Sequence, residues 1–182
     1  MKKILIPVLA VLLSACASSP YTYHVEPTPL KKKETTYNIA EVNVNLTLGH
    51  GANASNERFA TQEEVQQQFK KYLVRNLDEE GVLAKNSDEA VDVIVNIDYV
   101  RTFNHGGESL NKPEVSHSVT ISSDSTKLAS FAQPKYTTKY GTFEEIAVNL
   151  EITASSWDEE DEPKDIEWIS KFIAKDIANV GL

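Results

Sequence analysis

The chain has 182 residues, with 18 Lys and Arg against 27 Asp and Glu, a net charge of −9. An acidic chain makes a poor nucleic-acid binder, because that affinity comes largely from neutralising phosphates, so no nucleic acid is expected among its partners. The length suits one ordinary domain plus a leader, and a single cysteine, Cys16, excludes an internal disulfide or a cysteine cluster around metal.

Residues 1–15 read as a secretory signal peptide. Met1-Lys2-Lys3 supplies the positive start, and Ile4 to Leu13 is apolar throughout, with Pro7 the one residue that is not a plain hydrophobe. That stretch is too short for a ~30 Å hydrocarbon core, which needs ~20 helical residues. Leu13-Ser14-Ala15-Cys16 resembles the bacterial lipobox. The resemblance implies cleavage before Cys16, a diacylglycerol on its sulfur and usually a third acyl chain on the new amine. Cleavage removes Lys2 and Lys3 and leaves the mature chain two charges more negative. In lipoproteins of this kind an aspartate after the cysteine favours retention at the inner membrane. Here Ala17, Ser18 and Ser19 follow, which implies an outer-membrane address facing the periplasm.

Residues 16–36 read as the lipidated N-terminus and a flexible linker, rich in Ser and Thr, with Pro20, Pro27 and Pro29 and no helical or strand period. Fully stretched, some twenty residues reach at most roughly 70 Å. As a coil they average ~25 Å. Lys31-Lys32-Lys33 either rests on anionic headgroups, at ~1 kcal/mol per charge, or is a solvated part of the linker.

Residues 37–182 read as one α+β domain. Tyr37 to Leu48 alternates, with Ala40, Val42, Val44, Leu46 and Leu48 on one face and Glu41, Asn43, Asn45 and Thr47 on the other, as a half-exposed strand does. Gly49-His50-Gly51 opens a polar loop. Thr61 to Glu80 is a helix: Thr61 and Glu64 form a capping box, Val65, Phe69, Tyr72, Leu73 and Leu77 form one stripe, and Gly81 ends it. Val91 to Thr102 is a second strand, with Val91, Val93, Val95, Ile97 and Tyr99 on one face. Val115 to Ser122 is a third, followed by a polar turn at Asp124 to Lys127 and a returning hairpin strand from Leu128 past Phe131. Phe143 to Ala154 fits both periods: Ile146, Val148, Leu150 and Ile152 alternate, while Phe143, Ile146, Ala147 and Leu150 match a helix. Its β-branched content favours a strand. Asp158 to Pro163 reads as an acidic loop, and Asp165 to Val180 as a closing amphipathic helix. Together these give an antiparallel or mixed sheet of about four to five strands, two helices packed on one face and the other face open.

The layout resembles the small α/β lipoproteins of Gram-negative bacteria, most closely the YajG type. The resemblance rests on the lipobox, the early strand, the helix ending in Leu77-Asp78-Glu79-Glu80-Gly81, the aliphatic strand Val91-Asp92-Val93-Ile94-Val95-Asn96-Ile97, the hairpin and the last helix. It departs from the pattern over Tyr136 to Pro163. It implies a lipoprotein without an established catalytic activity, and it carries over no functional residue beyond Cys16.

Sites for chemistry are few. His24 lies in the linker, His50 in a glycine loop, and His117 shares a strand face with Val119 as a packing residue would. His105 beside Glu108 is a single pair, where zinc needs three or four ligands. The run Asp158 to Glu162 lacks the alternating ligands and glycine of an EF-hand. Neither a Gly-x-Ser-x-Gly elbow nor a phosphate-cradling glycine loop is present. Trp157 and Trp168 flank the acidic run and are candidates to anchor a partner, although Trp168 also lies beside the apolar stripe of the last helix, where it would cap the core. The expectation is therefore a non-enzymatic outer-membrane lipoprotein, without cofactor or metal, held in the membrane by lipid on Cys16 and contacting another envelope protein. The alternatives are a small-ligand or glycan module, with the ligand between sheet and helices, or an unrecognised envelope hydrolase.

Overall fold

A computed structural model describes residues 28–52, 56–85 and 90–182. The expected signal peptide (residues 1–15), Cys16 with the string that resembles a lipobox, His24 and most of the expected linker lie outside those residues. The element order is β1 (Tyr37–Leu48), α1 (Gln62–Glu79), β2 (Val91–Arg101), β3 (Phe103–Asn104), β4 (Ser109–Leu110), β5 (Glu114–Ser123), β6 (Thr126–Tyr136), α2 (Thr142–Thr153) and α3 (Glu162–Ala178). The class is α+β. A mixed four-stranded sheet runs β1-β2-β5-β6, and β3 and β4 form a separate two-stranded pair. β1 and β2 are parallel and joined through α1, since parallel neighbours need a crossover that a tight turn cannot make. The other neighbours are antiparallel.

The alternation read from the sequence puts Val42, Val44, Val93, Val95, Ile97, Tyr99, Val119, Ile121 and Phe131 on one buried face. Val65, Phe69, Leu73 and Leu77 of α1 and Ile166, Ile169, Ile173 and Ile177 of α3 close over it. The helix ends follow local chemistry. Thr61 Oγ1 accepts from Glu64 N while the Glu64 carboxylate accepts from Thr61 N at 2.7 Å. At the other end Gly81 (φ 75°) lets Val82 N reach Leu77 O at 3.0 Å and Gly81 N reach Asp78 O at 2.9 Å, a Schellman ending. Gln62 and Gln66 belong to the polar face of α1, yet their side-chain oxygens accept from Leu46 N and Val44 N at 3.3 and 3.5 Å. They blunt the outer edge of β1, which would otherwise offer free donors to another strand.

Three expectations are corrected. Phe143–Ala154 is a helix, α2, rather than a strand. Glu144 and Glu145 sit in its first turn, where carboxylates favour a helix start, and Glu145 Oε2 accepts from Tyr140 N at 2.9 Å. With Val148 and Ile152 both packed in a small second core, the i, i+4 spacing wins over β-branched preference. The closing helix starts at Glu162, with Pro163 in its first turn where the missing N–H costs nothing, so the acidic loop is shorter than expected. The folded body also begins before Tyr37. Leu30 is buried, Lys33 N donates to Ala178 O at 2.9 Å, and Lys32 N donates to Leu182 O at 3.3 Å. Gly181 (φ 99°) passes so close to Leu30 that a Cβ there would lie 2.2 Å from its carbonyl oxygen.

The body thus has two poles. One gathers Leu30, Tyr37, Val82 and Val91, where the chain enters. The other gathers Leu48, Arg101, Glu114 and Tyr136, with α2 beyond them. Eleven residues of β2 separate the poles by roughly 35 Å.

Candidate functional site

Among the described residues, the sheet face turned away from α1 and α3 is polar. Its side chains pair across strands in register. Asn38 Nδ2 donates to Asp92 Oδ1 at 3.0 Å, Asn43 Nδ2 to Asn96 Oδ1 at 3.1 Å and Asn45 Nδ2 to Asp98 Oδ1 at 3.1 Å. Ser116 Oγ adds a bond to the second Asp98 oxygen at 3.2 Å. A shallow groove of about 590 Å³ runs over Asn43, Asn45, Asn96, Asp98, Ser116 and Ser118. Beside the apolar Ala132 and Pro134 it offers amides, hydroxyls and one carboxylate, a set suited to hydroxylated ligands or to water. The expected ligand space between sheet and helices is instead packed apolar core, with Val65, Phe69, Val95 and Ile173 fully buried.

The far pole is held by a buried polar network. Arg101, at the end of β2, donates from Nε and Nη2 to the Glu162 carboxylate at 2.6 and 2.8 Å, and from Nη2 to Ala60 O at 2.6 Å. Burial pushes the Glu162 carboxyl up, and the Arg101 guanidinium offsets part of that. One turn further along α3, Asp165 accepts from Thr138 Oγ1 and Tyr140 OH, each at 2.6 Å, and from Trp157 Nε1 at 3.2 Å. Burial raises Asp165 despite these donors, and it also raises the Tyr140 phenol, which the Asp165 charge pushes further. Every strong group here is turned on another, so the network fixes the start of α3 and the segment leading to α2.

α2 rests on this frame by one side only. Val148 and Ile152 pack with Phe59, Phe103, Leu110, Tyr140 and Trp157. Asn104 Nδ2 donates to Ile152 O at 2.8 Å, and Lys112 binds Glu145, whose carboxyl this bond holds below the usual range. The opposite side faces water. Phe143 is 89% exposed, Ile146 54% and Leu150 64%. Spaced i, i+3 and i+7, they form one stripe with the exposed Ala147. In the sequence these residues match a helical period, and such a stripe ordinarily turns to the core. An apolar stripe alone says nothing about which side of a helix the body occupies.

The other candidates fall out as follows. His117 is buried in β5, with Nδ1 2.9 Å from Tyr136 OH, and desolvation lowers its pKa to about 4. Trp157 is buried in the second core, and Trp168 stacks on Phe172 at 5.6 Å beside the main core. His50 lies in the loop after β1, and His105 in a 3-10 turn between β3 and β4. Asp158 and Asp161 cap their own turn, with Asp158 N donating to Asp161 Oδ2 at 3.1 Å. Among the described residues no group of three or more His, Cys, Asp or Glu could hold a metal ion, and no helix is long and apolar enough to cross a membrane.

No family model and no curated protein matches the chain. Among solved structures, a minor lipoprotein from Acinetobacter baumannii is similar at 17% identity and a TM-score of 0.31, covering 78% of this chain and 92% of that one. A PelC dodecamer from Paraburkholderia phytofirmans is similar at 10% identity and a TM-score of 0.29, covering 75% of this chain and 95% of that one. A leucine-to-methionine variant of the same dodecamer gives 11% identity and a TM-score of 0.30, covering 76% of this chain and 98% of that one. Likenesses at this level carry nothing about activity.

Proposed function

We propose that this chain is an outer-membrane lipoprotein, anchored through lipid on Cys16, whose periplasmic body acts without catalysis by contacting another envelope component. The anchor rests on the order of charge, apolar run, small residues and cysteine in residues 1–16. Two or more acyl chains give the stable attachment that one chain does not. The contact role rests on a single observation: α2 shows water a row of large apolar side chains that no other described residue covers. Cys16→Ala should lose incorporation of labelled fatty acid, and wild-type protein should travel with the outer membrane on a sucrose gradient. After mild crosslinking of intact cells it should be extracted with a protein attached. Normal labelling of the variant would overturn the anchor, inner-membrane fractionation the address, and extraction as free protein the contact role.

A second reading, a module for a hydroxylated ligand such as a glycan, is supported by the amide and hydroxyl groove on the open sheet face. Chemical-shift changes at Asn43, Asn96 and Ser118 on adding soluble oligosaccharide would favour it over the first.

A further inference from the structure

We propose that the outward stripe of α2, Phe143, Ile146 and Leu150, seats an envelope protein that presents an apolar ridge rimmed by lysine and arginine. This rests on the reading above that the body contacts another envelope component, and it names where and by what chemistry.

Among the described residues nothing packs over the stripe. The inward side of α2 is already buried through Val148 and Ile152, so turning the helix over would trade one apolar side for another without covering both. Its rim decides the occupant. On a 3.6-residue wheel Glu144 and Glu151 line one long edge of the stripe, and Asn149 and Thr153 line the other. Residues 137–161 carry seven carboxylates and one lysine, Lys139. The cations that reach in from elsewhere are already engaged: Arg58 with Glu159, Lys112 with Glu145, and Lys164 with Asp161. A second copy would bring acid against acid. Anionic headgroups are repelled in the same way, and the stripe lies at the pole opposite Leu30, where the lipid-bearing end enters the body. A cationic rim around an apolar ridge answers both the charge and the apolar row.

The test uses the full lipoprotein in intact cells, with a benzophenone amino acid replacing Phe143, Ile146 or Leu150, and replacing Asn96, Ser118 or Gln67 as comparisons. Irradiation should attach protein at the three α2 positions at least fivefold more than at the others. The crosslinked peptide, read by mass spectrometry, should be apolar with nearby Lys or Arg. Glu144→Lys with Glu151→Lys should cut the yield at Ile146 at least fivefold, while Glu41→Lys, an exposed charge reversal on β1, leaves it unchanged. Phe143→Ser and Leu150→Ser should melt as wild type, because neither side chain is buried. Adducts to a second copy, to phospholipid or to an acidic peptide would overturn the proposal, and so would a charge-reversed variant of undiminished yield. Adducts confined to Asn96 and Ser118 would sink it yet leave the envelope-contact reading standing. Adducts at no position would sink both.

Discussion

Replacing Glu162 by alanine isolates what the buried pair does. Arg101 and Glu162 have side chains 5% and 2% exposed, and the carboxylate accepts two of the three hydrogen bonds recorded for the guanidinium. A guanidinium does not give up its proton, so Glu162→Ala leaves a full charge buried with the Ala60 carbonyl and the face of the Phe59 ring, 5.6 Å away, but no counter-charge. Breaking a buried pair from one side costs about 3–5 kcal/mol. Against a total stability of about 5–15 kcal/mol, that is a large fraction. In a domain of this size the melting point should fall by about 10 °C. Arg101→Met with Glu162→Leu removes both charges and keeps the volume. Its remaining costs are the unpaired Ala60 carbonyl, about 1–3 kcal/mol, and the buried Tyr99 hydroxyl, which also loses its bond to Glu162 in the single variant, set against relief from desolvation. The double variant should therefore recover about 2 kcal/mol or more over the single one. Urea unfolding followed by tryptophan fluorescence reads both, since Trp157 lies in the neighbouring core. Loss of less than about 1 kcal/mol in Glu162→Ala would mean that Arg101 reaches water. A double variant no better than the single would mean that packing, not the orphaned charge, carries the cost.

Two more outcomes follow from the core. Phe69→Ala should cost about 3–5 kcal/mol, because its ring is fully buried and meets Tyr99 edge-on at 5.8 Å, whereas Gln67→Ala should stay within about 0.5 kcal/mol; equal urea midpoints for the two would contradict the packing of α1. His117 ties stability to pH. Its folded pKa of about 4 lies below the ordinary 6.5, so between those values the unfolded chain binds more protons, and stability falls as pH falls through that window. From pH 7 to pH 5 the ring should contribute a loss of about 2 kcal/mol, read as the difference between wild type and His117→Gln in urea unfolding at the two pH values. Glu162 and Asp165, both raised, act in the opposite direction: their contribution is greatest below the unfolded carboxylate pKa and is lost as pH rises, which is why the comparison with the variant is needed. Parallel losses in both proteins would remove His117 as the cause.

Elements whose physics is local were legible in the chain of residues alone. Alternation in β2, in β5 and in the middle of β1 marked their buried faces, because successive strand side chains point to opposite sides. A bulge between Ile39 and Glu41, however, buries Tyr37 and Ile39 and turns Ala40 out, and Leu48 at the strand end is exposed as well. Thr61, Glu64 and Gly81 bounded α1, because a capping box and a left-handed glycine act within a few residues. Whatever depends on partners distant in the chain waited for the folded body. Val148 and Ile152 became helical because Phe103, Leu110 and Trp157 offered a surface at i, i+4 spacing. Glu162 read as part of an acidic loop and Asp165 as the first residue of the closing helix; only the fold brings Arg101, Thr138 and Tyr140 to them. Phe143, Ile146 and Leu150 matched a helical period against which β-branched content favoured a strand, and both the helix and the side of it that meets water were set by how α2 docks at the far pole. Hydrophobic periodicity fixes that a helix has two sides; only long-range packing chooses the one that is covered.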